Sequence, residues 1–116
     1  MKYMILIYGN ESTGINPAAP EFGPYMAGYQ AATDTYRKDG VMVSGEALQP
    51  VATATSLRVR KGRNETMDGP FAETKEQLGG FYILDCANLD DAIRYAAMIP
   101  DAATGTVEIR PIMSFD

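Results

Sequence analysis

Hydrophobic and polar positions alternate along this chain in runs that change period several times. Residues 2–8 form a short apolar run closed by Gly9-Asn10, the pattern of a buried strand. Residues 9–20 read as a loop, because Pro17 and Pro20 exclude a helix. From Glu21 to Lys38 the period becomes helical: Phe22, Tyr25, Met26, Tyr29, Ala32, Thr33 and Tyr36 recur at three and four. Gly28 weakens this helix without ending it, Arg37-Lys38 complement its dipole, and Gly40 is a natural stop.

Val41 to Leu48 alternates as a second strand and stops before Pro50. Its parity puts Val41, Val43, Gly45 and Ala47 on one face, and Met42, Ser44, Glu46 and Leu48 on the other. Residues 55–61 and 64–67 predict a hairpin turning at Lys61-Gly62-Arg63, with Arg58 and Arg60 on one solvated face. A central strand follows at 79–86. Asn88 is a helix cap, and the helix over 89–99 is expected to bury Leu89, Ile93, Tyr95, Ala96 and Ala97 before Pro100. A loop through Gly105 leads to a last strand at 106–112.

The order β-α-β, hairpin, β-α-β predicts one α+β domain over residues 1–116. It is a ferredoxin-like split βαβ arrangement with an inserted β-hairpin. Both helices are expected on one face of a four-stranded antiparallel sheet. The other face would be broad, apolar and uncovered, so a homodimer is expected, closing a dimeric α+β barrel.

Between the hairpin and the central strand lies Asp68-Gly69-Pro70-Phe71-Ala72-Glu73-Thr74-Lys75-Glu76-Gln77-Leu78-Gly79-Gly80-Phe81. Asp-Gly-Pro is turn chemistry, and the charges after it have no apolar period to bury them. The segment is either a solvated connector or a site. It resembles the signature of the DGPF proteins, a branch of the YCII-related family. The opening strand, Gly45-Glu46-Ala47-Leu48 and Val107-Glu108-Ile109-Arg110-Pro111 are similar to other strands of that family. The resemblance implies a ferredoxin-like fold that dimerises into a barrel, with an enzymatic or ligand-binding role. It also implies an association with sigma-factor signalling, and by itself shows no direct contact. Related proteins are thought to pair a histidine near the start of the first helix with an aspartate. This chain has no histidine, so that mechanism does not carry over.

Ten basic and fifteen acidic residues give a net charge of −5, which disfavours nucleic acid as a partner. A single cysteine, Cys86, forms no internal disulfide and reads as a packed hydrophobe, which fits a cytoplasmic location. No secretory leader is expected, nor any segment long enough to span a membrane. One cysteine and no histidine make a zinc or copper site an unpromising reading. Without a phosphate loop, nucleophile elbow or dinucleotide fingerprint, no cofactor is expected.

The candidate chemistry rests on carboxylates and tyrosine acting on a small organic ligand. Strand parity brings Ser44, Glu46, Glu108 and Arg110 to the far face of the sheet, as a ligand cleft or as a structural ion network. Tyr25 is the nearest titratable group at the start of the first helix. It serves as a proton donor or as a core aromatic, since its ordinary pKa near ~10 makes it a poor base. Asp68 either fixes its turn or acts catalytically in a cleft. Glu73 and Lys75, two apart, point the same way in an extended loop and could bind a polar ligand. The sequence leaves two readings open: an enzyme with Asp68, Glu46 and Tyr25 as acid-base groups, or a non-catalytic binding module.

Overall fold

The computed structural model describes residues 1–115 and is an α+β protein. The strands are β1 (Lys2–Gly9), β2 (Met42–Ala47), β3 (Thr55–Arg60), β4 (Arg63–Asp68), β5 (Gln77–Asp85) and β6 (Thr106–Pro111). The helices are α1 (Phe22–Lys38) and α2 (Leu89–Ala96), with short 3-10 turns at Glu11–Thr13, Val51–Thr53 and Pro100–Ala102. The main sheet runs β2-β5-β1-β6 with every neighbour antiparallel, an order compatible with a ferredoxin-like fold. β3 and β4 pair only with each other, in a separate two-stranded sheet.

Alternation along β1 decides where the core lies. Tyr3, Ile5 and Ile7 are buried, and their register partners Leu84 and Tyr82 on β5 join them. Ala32 and Tyr36 of α1 pack on the same cluster as Ala92, Tyr95 and Ala96 of α2, so both helices cover one face. Tyr36 stands at its centre, edge-on to Tyr82 at 5.1 Å and to Tyr95 at 5.6 Å between ring centroids. Its hydroxyl donates to the Tyr95 carbonyl at 2.6 Å, which satisfies the polar tip of a fully buried ring. Asn88 caps α2 by accepting from the Asp91 N–H at 2.9 Å.

Two expectations about faces need correction. α2 buries Ala92, Tyr95 and Ala96, while Leu89 and Ile93 stay half exposed on its flank and Ala97 is exposed. Ala92 and Ala96 let the helix axis approach the sheet with Tyr95 packed between the elements, and Leu89 and Ile93 are turned aside. In β2 the register shifts between Met42 and Ser44: Met42 pairs with Leu84, and Ser44 with Ile83. This bulge puts Met42 on the helix-covered face with Gly45, so strict alternation from Val41 fails at its start. Beyond the bulge Ser44 and Glu46 do face away from the helices, as do Glu108 and Arg110 on β6.

Candidate functional site

The apolar stripe of α1 divides in two. Its C-terminal half, Ala32 and Tyr36, is buried. Its N-terminal half stands off the sheet, and Tyr25, Met26, Tyr29 and Thr33 line a cleft of about 530 Å³. Strands β1, β5 and β2 form the opposite wall through Ile7, Tyr82 and Ala47, and the loop at Asn10–Ile15 borders one side. The cleft therefore lies on the helix-covered side of the sheet. That volume suits a small organic molecule.

Its chemistry centres on Asp101, in the turn after α2. The Tyr25 hydroxyl donates to Asp101 Oδ2 at 2.6 Å, and the Tyr29 hydroxyl donates to the same oxygen. The two rings meet edge-on, 5.4 Å apart. Asp101 Oδ1 accepts no hydrogen bond among the described residues, which leaves one carboxylate oxygen available beside the cleft. Partial burial, then the hydrogen bond and charge of Asp101, push Tyr25 up to about 12. The same causes, in the same order, raise Tyr29 further. Both hydroxyls keep their protons at neutral pH and act as donors.

Gly28 explains how α1 comes so near. A Cβ at this position would lie 2.8 Å from Cγ of Pro100, the residue before Asp101. Glycine thus allows the helix to rest on the turn and brings the hydroxyls of Tyr25 and Tyr29 to the carboxylate. Thr33 Oγ1 and the Tyr82 hydroxyl share a 2.8 Å hydrogen bond across the cleft. One i, i+4 series on α1 carries Tyr25, Tyr29, Thr33 and Arg37. Arg37 is exposed, lines the far end, and has no ion-pair partner among the described residues.

The expected site residues are dispersed. Tyr25 lies in the cleft. Glu46 borders it, but its register with Phe81 turns its side chain to the other face. Ser44 and Glu46 occupy one edge strand, Glu108 and Arg110 the other, three strand spacings or roughly 14 Å apart. The four do not meet within one chain. Arg110 approaches Glu108 at 4.0 Å in an exposed pair, which contributes little.

The signature loop also differs in detail. The Asp68 carboxylate has no hydrogen bond or ion pair among the described residues. Its turn is held by Gly69, whose N–H donates to the Ala54 carbonyl at 2.7 Å, and by Ser56, whose hydroxyl donates to the Gly69 carbonyl at 2.8 Å. Gly69 has φ +94°, a conformation that a side chain would strain. Glu73 and Lys75 are exposed and do not line the cleft. Gln77 fixes the loop instead: its Nε2 donates to the Thr74 carbonyl at 2.5 Å, and its Oε1 accepts from the Glu11 N–H at 2.9 Å. Glu76 accepts from the Thr106 hydroxyl at 2.8 Å. Glu11 in turn accepts from the Val51 N–H at 3.0 Å, so these loops brace the cleft's border together.

The whole chain, residues 1–116, matches the profile of the YCII-related domain. The chain belongs to the YCII-related family. A protein of Rhizobium meliloti (strain 1021), described as uncharacterized, is 40% identical over 114 residues, covering 97% of this chain and 92% of that protein. In this YCII-related chain no group of three or more His, Cys, Asp or Glu among the described residues is placed to hold a metal ion. Nor is any helix among them long and apolar enough to cross a membrane.

The sequence pattern of this YCII-related chain did not mark Asp101, Tyr29, Gln77 or Arg37 as site residues. The helical series of Tyr25, Tyr29, Thr33 and Arg37 was a usable signal, because groups able to hydrogen-bond recur at i, i+4 along one line of α1. Asp101 gave none: it lies 72 residues from Tyr29, in the short Pro100–Ala102 turn.

Proposed function

We propose that this chain is a small-molecule-binding domain of the DGPF branch, working as a dimeric α+β barrel. Its ligand occupies the cleft between α1 and the sheet. The observation that supports this reading most is the convergence of two tyrosine hydroxyls on one oxygen of Asp101 at the edge of that cleft. The tyrosines fix the carboxylate, and its second oxygen accepts a hydroxyl or amine proton from the ligand. Apolar groups from Ile7, Met26 and Met42 favour a largely apolar ligand body. Any chemistry at the site is proton transfer through Asp101, because both tyrosines hold their protons well above neutral pH.

A non-catalytic reading, in which the same cleft serves an accessory module linked to sigma-factor signalling, is favoured by one observation. Both tyrosine protons are already directed at Asp101, which leaves no free acid beside it. The test is native mass spectrometry of the purified protein, followed by titration of the recovered compound against Asp101→Asn. A hydrogen bond to a charged group contributes about 1.5–3 kcal/mol, so binding should weaken roughly 10- to 100-fold. Unchanged affinity, or a ligand whose NMR contacts fall on Glu108 and Arg110, would overturn the assignment. Turnover of the compound would decide between the two readings.

A further inference from the structure

The cleft beneath α1 carries unlike charge at its two ends. Asp101 stands at one end, held by the hydroxyls of Tyr25 and Tyr29. Arg37 stands at the other, two helical turns past Tyr29, or about 12 Å along the axis. It is the one basic residue among the described residues that line the cleft, in a chain of net charge −5. The carboxylates nearest to it in sequence are engaged elsewhere. Asp34 accepts from Gln30 Nε2 at 2.8 Å, and Asp39 accepts from the Tyr95 hydroxyl at 2.8 Å. Of the other acidic residues on the cleft's border, Glu11 accepts from the Val51 N–H, and Glu46 turns to the open sheet face.

A neutral donor lies one turn from Arg37. Gly45 pairs with Tyr82 across β2 and β5, and a Cβ there would come within 2.7 Å of Tyr82 Cδ1. Glycine therefore leaves the ring room beside β2, and its hydroxyl reaches Thr33 on α1. Two hydroxyls carry two protons, and their mutual 2.8 Å bond uses one. The second proton has no acceptor among the described residues. Long side chains on a helix lean toward its N-terminus, which carries the Arg37 guanidinium over the turn that bears Thr33. A planar guanidinium with a hydroxyl donor beside it is a donor set suited to a carboxylate. One guanidinium balances one negative charge, which favours a carboxylate over a phosphate dianion in a chain this acidic.

We propose that the ligand of this cleft is a small carboxylic acid whose carboxylate pairs with Arg37 and the Thr33–Tyr82 hydroxyls. This rests on the ligand-binding reading above and adds the ligand's charge and its direction. The carboxylate lies at the Arg37 end, since the reverse orientation would set it against the Asp101 carboxylate. Its hydroxyl or amine then faces Asp101, and its apolar middle lies against Met26 and Met42.

The test uses a set of small aromatic and aliphatic carboxylates, each matched with its neutral primary amide. Each pair is titrated by NMR against the isotope-labelled chain, Arg37→Gln and Lys38→Gln. Lys38 is exposed and does not line the cleft, so its variant removes the same charge one residue away. Arg37 makes no ion pair among the described residues, so Arg37→Gln should keep the parent melting profile. Where a pair shifts the amide signals of cleft residues, the acid should bind about fivefold or more tightly than its amide. Arg37→Gln should abolish that preference, and Lys38→Gln should retain it. Equal binding of acid and amide, or a preference that survives Arg37→Gln, would overturn the carboxylate assignment and leave the cleft reading standing. Tighter binding of inorganic phosphate at Arg37 than of any carboxylate would overturn it too. If no member of any pair shifted cleft signals, the ligand-binding reading would fall, and this inference with it.

Discussion

Replacing Gly28 with alanine sets two effects of opposite sign against each other. In a helix interior alanine is favoured over glycine by about 0.8–1.0 kcal/mol, so on an open face the change would stabilise. Here the new Cβ would lie 2.8 Å from Pro100 Cγ, where carbon atoms prefer about 3.5–4.0 Å. The obstacle is a proline ring and cannot swing aside, so α1 and the Pro100–Ala102 turn must separate by roughly 1 Å. Overpacking of this kind costs about 1–3 kcal/mol. Set against the helix gain, the net loss is about 1 kcal/mol, or roughly 4 °C in Tm for a domain of this size. The effect on the site should be sharper. A 1 Å retreat stretches the 2.6 Å Tyr25–Asp101 bond beyond hydrogen-bonding distance, and the tyrosine then titrates closer to its ordinary value. Thermal melts and alkaline titration of tyrosinate absorbance read the two effects separately. Gly23→Ala is the control, because nothing lies within 4 Å of its Cβ and it should gain a few tenths of a kcal/mol. If Gly28→Ala were more stable than the parent and titrated identically, the contact with Pro100 would not be what sets the height of α1.

The folded-state pKa of Tyr25 lies above its ordinary value of 10, so the folded form holds that proton more tightly. Its contribution to stability is fully present below pH 10 and is lost as pH rises to about 12. The urea midpoint should fall across that window, and less steeply in Tyr25→Phe. In the signature turn, Gly69→Ala should cost about 1–3 kcal/mol through its positive φ, while Asp68→Ala stays within about 0.5 kcal/mol; equal losses in urea unfolding would return the turn to the aspartate. Asn88→Ala should lose about 1 kcal/mol, because the Asp91 N–H then has no side-chain acceptor, and helical circular dichroism at rising temperature would reveal an unchanged α2 if the cap is idle.

What the sequence could show was local. The strand at 2–8, the helix from Glu21 and the hairpin around Gly62 were visible, because each depends on a period or a turn residue within a few positions. The observed elements differ from those readings mainly at their ends: β5 begins at Gln77, and α2 stops at Ala96 before a separate turn at Pro100. The bulge after Met42 was hidden, because it depends on pairing with β5 and leaves no mark on composition. The site was less legible than the fold. Parity correctly sent Glu46 and Glu108 to the same sheet face, but strand order puts them on opposite edges. Gly28 looked like a flaw in a helix, since the ring it accommodates lies 72 residues away in the chain.

Because the cleft opens on the helix side of the sheet, successive residues of one strand belong to different surfaces. Tyr82 borders the cleft, while Phe81 and Ile83 turn their side chains to the open face. Ligand preference and surface association can therefore drift independently, although they are encoded in adjacent codons. A laboratory can use the same partition, placing a label or tether at Arg110 on the open face while the pocket beneath α1 keeps its shape.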